Sequence, residues 1–233
     1  MSTQSNQGPA VWKTLLQQKA STKMKWMVGI MIFIIITATI MYIYTKSTYI
    51  DSHCKIIKDV YTDMGKVSSI NFEDKNYKEF LLRDYYIKSS YNSCAIGDFK
   101  NTFVDVCGLK NVIRQGVRVL DFEIYSVNDK PVVAVSSIPC DFTDEEPQCF
   151  LIKESYNYVD FDKAMQIAAS YAFAGDTCPN PNDPLILNLR IMSKNESIYT
   201  SMTNTLQQKF GDHLLGKKYS YETAGESIAF EPL

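Results

Sequence analysis

Nineteen consecutive residues without a charge, "WMVGIMIFIIITATIMYIY" from Trp26 to Tyr44, limit what this chain can fold into more than any other stretch. At about 1.5 Å per residue a helix of this length covers a hydrocarbon core. It is apolar on every side, which a helix lying on a soluble core is not. Lys23, Lys25 and Trp26 mark one interface, and Tyr42, Tyr44 and Lys46 the other. A cleaved signal peptide has an apolar core of only about 7–15 residues, so the run reads as a retained signal anchor. Lys13, Lys19, Lys23 and Lys25 precede it, and Lys46, Lys55 and Lys58 follow it. That bias places the N-terminus in the cytoplasm and the rest outside, in a lumen or on a virion-membrane exterior.

The remaining residues suit one globular domain, since 45% of the chain is hydrophobic and 21% charged. All six cysteines (Cys54, Cys94, Cys107, Cys140, Cys149, Cys178) follow the apolar run. An even set on one side points to an oxidising compartment, with buried reduced thiols as the alternative. Cys140 and Cys149 are the pair that proximity suggests, closing the acidic loop "CDFTDEEPQC". A glycosylation sequon at Asn195 lies on the same side. A net charge of −2 without a basic patch argues against a nucleic-acid partner.

Residues 1–25 are a polar tail with a short amphipathic stretch at 11–16, suited to docking on the bilayer or on another protein chain. Residues 26–44 span, 45–80 form a stalk or a short helix packing on the domain, 81–220 form the domain, and 221–233 a C-terminal segment. Within the domain, stretches 85–89, 117–125, 131–136 and 185–191 read as strands, and 103–115 and 160–174 as helices. The alternation predicts an α/β fold with parallel strands. Ile198, Met202, Leu206, Phe210 and Leu214 recur every fourth residue and predict the core face of a last helix.

The strand "VRVLDFEIY" carries the chemistry. Asp121 and Glu123 are two apart and project from one face, while Leu120, Phe122 and Ile124 demand burial on the other. Both faces are therefore expected to be covered. Two carboxylates on one face near the end of a barrel strand suit a hard cation or a polyol.

Several motifs, in order, make the stretch 81–220 resemble the X region of the phosphatidylinositol-specific phospholipases C. Ser89-Ser90-Tyr91-Asn92-Ser93 is similar to that family's Ser-Ser-His-Asn-Thr, and "GVRVLDFE" from Gly116 to its Gly-Cys-Arg-X-X-Glu-X-Asp. "KPVVAVSS", "MQIAASYAF", "DPLILNLR" and "KFGDHLL" resemble the strands and helices that follow. The resemblance implies a TIM-barrel-like α/β fold, about half a barrel at this length, preceded by one transmembrane helix.

In the family, two histidines serve an in-line attack by the inositol 2-hydroxyl on phosphorus. Their positions here hold Tyr91 and Val135, with Ser136 beside the second; His53 and His213, the chain's two histidines, match neither. A tyrosine with an ordinary pKa near 10 is a poor base at neutral pH, and valine exchanges no proton. The family's calcium ligands map to Asn92, Asp121, Glu123 and Arg190, so the fourth is cationic. Arg190 is expected to lie among the carboxylates in the metal's place, leaving no cofactor; Ca²⁺ would bind Asn92, Asp121 and Glu123 only if the site were retained. The degenerate pocket then comprises Ser90, Tyr91, Asn92, Asp121, Glu123, Ser136 and Arg190.

The function this implies is that of a membrane-anchored, catalytically inactive binding or structural module. Its partners would be the bilayer, an inositol headgroup or phosphate, or other chains of an assembly such as a virion. The alternatives are an active phosphodiesterase, with Tyr91 activated by Arg190 or another metal on Asp121 and Glu123, and a disulfide-stabilised adhesion or fusion ectodomain.

Overall fold

A computed structural model describes residues 22–70, 80–137, 153–220 and 227–230. The chain divides into two compact units, residues 1–49 and 50–233. Helix α1, Thr22–Thr62, contributes to both. In the first unit its apolar side chains are exposed all round, as Trp26, Met27, Phe33, Ile34 and Met41 show. The hydroxyls of Thr37 and Thr39 donate to the carbonyls of Phe33 and Ile35, both at 2.8 Å. An apolar helix can thus carry threonines with no polar group left bare. The helix continues well past Tyr44, where the sequence reading ended the span.

In the second unit the last turns of α1 present a half-buried stripe of Ile50, His53, Cys54, Ile57 and Tyr61. Cys54 is disulfide-bonded to Cys107, and the Gln115 amide donates to the Tyr61 carbonyl at 2.7 Å. The bridge spans 53 residues of sequence, which in a chain-entropy account restricts the unfolded state by roughly 4 kcal/mol. Cys54→Ser is therefore expected to lower stability by about 2–4 kcal/mol, read from urea unfolding of the full chain in micelles. A midpoint unchanged from the parent's would show that the bridge does not constrain the unfolded chain. Cys94 and Cys178 are free and buried, whereas Cys140 and Cys149 lie outside the described residues.

The sheet is built around β2, Val119–Val127. One edge of β2 pairs in parallel with β5, Ile186–Ile191, from Val119↔Ile186 to Ile124↔Ile191. Its other edge takes β1, Ser89–Ser90, in parallel at its start and β3, Lys130–Ala134, antiparallel at its end. The short β4, Val159–Asp160, is antiparallel to β3. Together these strands and their helices make a mixed α/β half-barrel.

The expectation of parallel strands is thus corrected for two pairings. Only Asn128 and Asp129 separate β2 from β3, and both have positive φ (51° and 60°). Two such residues make a tight hairpin, whereas a parallel connection needs a dozen or more.

Helices α2 (Val106–Arg114), α3 (Phe161–Ala172) and α4 (Ser197–Phe210) pack on one face of the sheet. Leu120, Phe122 and Ile124 of β2 meet Leu109, Ile113, Phe161, Met165 and Ile198 there. Helix α2 begins three residues later than its apolar pattern suggests. Asp105 caps it by accepting from the Cys107 amide at 2.8 Å, and Val104 is held extended by both amide groups of Asn157. The last helix ends at Phe210 because Gly211 turns the chain at φ 42°. Leu214, expected in the core stripe, is 44% exposed as a result.

Candidate functional site

On the opposite face of β2, Asp121 and Glu123 are buried, so both faces of the strand are covered. The β2–β5 register sets Asn188 directly beside Asp121 and Arg190 beside Glu123. Parallel neighbours lie under 5 Å apart, so a long side chain at 190 reaches both carboxylates. The Arg190 guanidinium lies in their midst. Its Nε and Nη2 donate to the two Asp121 oxygens at 2.9 and 2.7 Å, a bidentate fork. Its Nη1 donates to Glu123 Oε1 at 2.9 Å, and Nη2 also reaches Asn92 Oδ1 at 2.9 Å. Burial alone would make the guanidinium easier to deprotonate, but hydrogen bonds and charge from Asp121, with the charge of Glu123, carry its pKa above the ordinary arginine value.

The loop after β1 supplies the third wall. Asn92 sits at φ 46°, a left-handed conformation that asparagine tolerates better than most residues, and Ala95 closes the turn onto its carbonyl at 2.7 Å. This turn aims the Asn92 amide N–H at Asp121 Oδ2, 3.0 Å, and its side-chain amide at Glu123 Oε1, 3.4 Å. Ser93 zips the same loop to β2, donating its backbone N–H to the Asp121 carbonyl and accepting the Asp121 N–H on its hydroxyl. The Asn188 amide completes Asp121 at 2.6 Å, and Glu123 Oε2 accepts from the Tyr125 hydroxyl and the Ser136 N–H, both at 2.9 Å. Each carboxylate thereby accepts four hydrogen bonds, about the capacity of its lone pairs.

Tyr91 roofs this cluster. Its ring lies 4.5 Å from the guanidinium carbon and meets Phe99 edge-on at 5.4 Å, while 58% of the residue stays exposed. Val135 is buried in the core, and its carbonyl accepts from Glu154 and Ser155. Ser136 bonds Glu154 through its hydroxyl at 3.2 Å; Ser137 bonds the same carboxylate through its N–H at 2.7 Å and its hydroxyl at 2.5 Å. Those bonds hold the Glu154 pKa below its ordinary value. Ser90 enters through its carbonyl, which accepts the Ser93 hydroxyl at 3.3 Å. Tyr125 is kept protonated by burial and by the Glu123 charge.

Neither imidazole takes part in this cluster. His53 is bonded to the Ile96 carbonyl and His213 is stacked on Phe173. Asn195, the sequon asparagine, ties the β2–β3 turn to α4: its amide donates to Ser126 and Asp129 and its carbonyl accepts from Ser197.

A model of the phosphatidylinositol-specific phospholipase C X domain matches residues 79–229. The chain belongs to that family. Among solved structures it is similar to PLC21 from L. pealei, with 16% identity and a TM-score of 0.43 over 58% of this chain. PLC21 from S. officinalis compares alike, at 16% identity and 0.42 over 58%. In both, the match takes in 15% of the longer chain. None of the curated proteins matches.

The pocket residues named from the sequence leave out Tyr125, Ser93 and Glu154, and Asn188 was read only as sharing a strand face with Arg190. Tyr125 follows Glu123 by two and Asn188 precedes Arg190 by two, so strand alternation alone puts each on the site's face. Glu154 carries no such signal, because only the fold brings it to the end of β3.

Proposed function

We propose that this phospholipase C X domain is membrane-anchored, does not turn over phosphodiesters, and serves as a binding or structural module. The observation that carries this reading is the Arg190 guanidinium, bonded to Asn92, Asp121 and Glu123 at 2.7–2.9 Å. A divalent cation there would need those same oxygens, and it would stand beside a permanent positive charge. The donor set does not fit Ca²⁺ while Arg190 is present, so no step is derived through a metal.

Acid–base chemistry is equally short of groups. Tyr91 lies against a cation and Val135 offers no proton, leaving the two family histidine positions without an imidazole. The anchor on this reading is residues 26–44, flanked by the 1–25 tail in the cytoplasm, with the domain on the far side. The Cys54–Cys107 bridge supports that placement, since disulfides persist in oxidising compartments.

The test uses the full chain in phosphatidylinositol-containing vesicles, with inositol phosphate release followed in Ca²⁺ and in chelator. The expected release is no faster than in protein-free vesicles under either condition. Calcium-dependent release that Asp121→Asn abolishes would overturn the reading.

A further inference from the structure

The loop that carries Asn92 into the site continues through Cys94, Ala95 and Ile96, and there it is held between two helices. On one side a His53 ring nitrogen of α1 lies 3.1 Å from the Ile96 carbonyl. On the other side the loop meets α2 as closely as a backbone can. The Cys94 carbonyl accepts the Asp105 N–H at 2.9 Å, and Ala95 pairs with Val104 as an isolated antiparallel bridge. A Cβ at Gly108 would stand 2.9 Å from the Ala95 carbonyl oxygen and 3.2 Å from that of Ser93, so only glycine lets α2 approach this far. The disulfide joins the neighbours of these two contacts, Cys54 beside His53 and Cys107 beside Gly108. It therefore clamps the loop between α1 and α2. Cys54 and Cys107 are half-buried and within reach of a small thiol, whereas Cys94 and Cys178 are buried. Burial, with the charge of Asp105 adding to it, pushes the Cys94 thiol pKa well above its ordinary value, so the clamped loop carries a protonated, poorly nucleophilic sulfur.

We propose that the Cys54–Cys107 bridge is a redox switch on the Asn92 loop, opened by a reducing dithiol. A thiolate of the dithiol attacks one bridge sulfur, the S–S bond breaks, and a mixed disulfide forms. The second thiol of the reagent then displaces the protein sulfur and closes the reagent into a cyclic disulfide. Two electrons pass to the bridge, and two protons end on the Cys54 and Cys107 sulfurs. With the bridge open, the turn of α1 that presents His53 is no longer tied to α2 beside Gly108. Segments open locally at less cost than a whole domain does, so a lost clamp shows first in the segment it held. That segment starts at Asn92, whose amides bond Asp121 and Glu123 and whose carbonyl oxygen Oδ1 accepts from Arg190. The switch acts on where Asn92 sits, so it does not depend on whether the Arg190 site turns over substrate.

Cysteine alkylation, located by mass spectrometry, tests it on the full chain in micelles without denaturant. Millimolar dithiothreitol is expected to open the bridge, so that Cys54 and Cys107 become alkylated, and to raise the alkylation rate of Cys94 by about tenfold or more. Cys178, whose sulfur meets Arg118 and Asn180 instead of the loop, is expected to gain less than about twofold. Cys54→Ser removes the clamp without reagent; it should expose Cys94 to the same degree, with no further gain on adding dithiothreitol. Hydrogen exchange is expected to place the rise at the amides of Asn92, Ser93 and Ala95, which donate to Asp121 Oδ2, the Asp121 carbonyl and the Asn92 carbonyl. A bridge that stays closed until denaturant is added, Cys94 no faster once the bridge is open, or Cys94 and Cys178 rising together as the whole domain loosens would each overturn the switch.

Discussion

Arg190→Ala is expected to lower the stability of the domain by about 3–5 kcal/mol in chelator, and millimolar Ca²⁺ is expected to restore part of that loss. The alanine leaves Asp121 and Glu123 buried on one strand face with no cation between them. Removing one partner of a buried ion pair costs far more than the pair contributes, because the remaining charges stay desolvated. Calcium can then take up the freed oxygens of Asn92, Asp121 and Glu123, a hard donor set once the guanidinium is gone. Arg190→Lys should fall between parent and alanine, since an ammonium carries the charge but cannot fork onto Asp121. Urea unfolding of the full chain in micelles, with and without Ca²⁺, reads all three. The parent is expected to show no calcium-dependent shift; a shift there, or none in Arg190→Ala, would mean that guanidinium and cation do not compete for the same oxygens. Acidity separates the effects by sign. A raised arginine pKa contributes stability below the unfolded value and loses it only above the folded one, so at working pH the guanidinium stays charged.

Arg118→Met should cost a comparable 3–5 kcal/mol for a different reason. Arg118 is buried, and its guanidinium donates to the carbonyls of Ala172 at 2.7 Å, Pro184 at 3.1 Å and Asp183. Burial lowers its pKa, with Cys178 and Asp183 opposing. Methionine keeps much of the aliphatic volume but leaves three carbonyls, one at the end of α3 and two in the α3–β5 connection, without this donor, each at about 1–3 kcal/mol if it stays dry. Hydrogen exchange should rise in residues 173–185 while β2 amides keep their relative protection. A loss below about 1 kcal/mol would show that water or other donors replace the guanidinium readily.

These two arginines also show what was legible in the residues. Alternation along "VRVLDFEIY" gave the two faces of β2 correctly, whereas Arg190 was assigned to the carboxylates by the resemblance to the family's metal-ligand positions. Strand direction was less accessible: Asn128-Asp129 is a hairpin signal only if both residues take positive φ, and a βα pattern elsewhere in the chain argued the other way. The end of the last helix was hidden because the spacing of Leu214 continues the apolar period past Gly211, where the backbone turns. The Cys54–Cys107 bridge had no local signature. Its halves lie 53 residues apart, and only the docking of the last turns of α1 beside α2 brings them together.

That bridge has one consequence for how the chain comes apart. It closes a covalent ring from Cys54 to Cys107, and the loop bearing Tyr91, Asn92 and Ser93 lies inside it. A protease that cuts one peptide bond within the ring produces two polypeptides that remain one molecule. The nicked protein would migrate as a single band until reductant is added and as two afterwards. The N-terminal fragment would therefore stay covalently joined to the rest of the domain through the Cys54–Cys107 bridge.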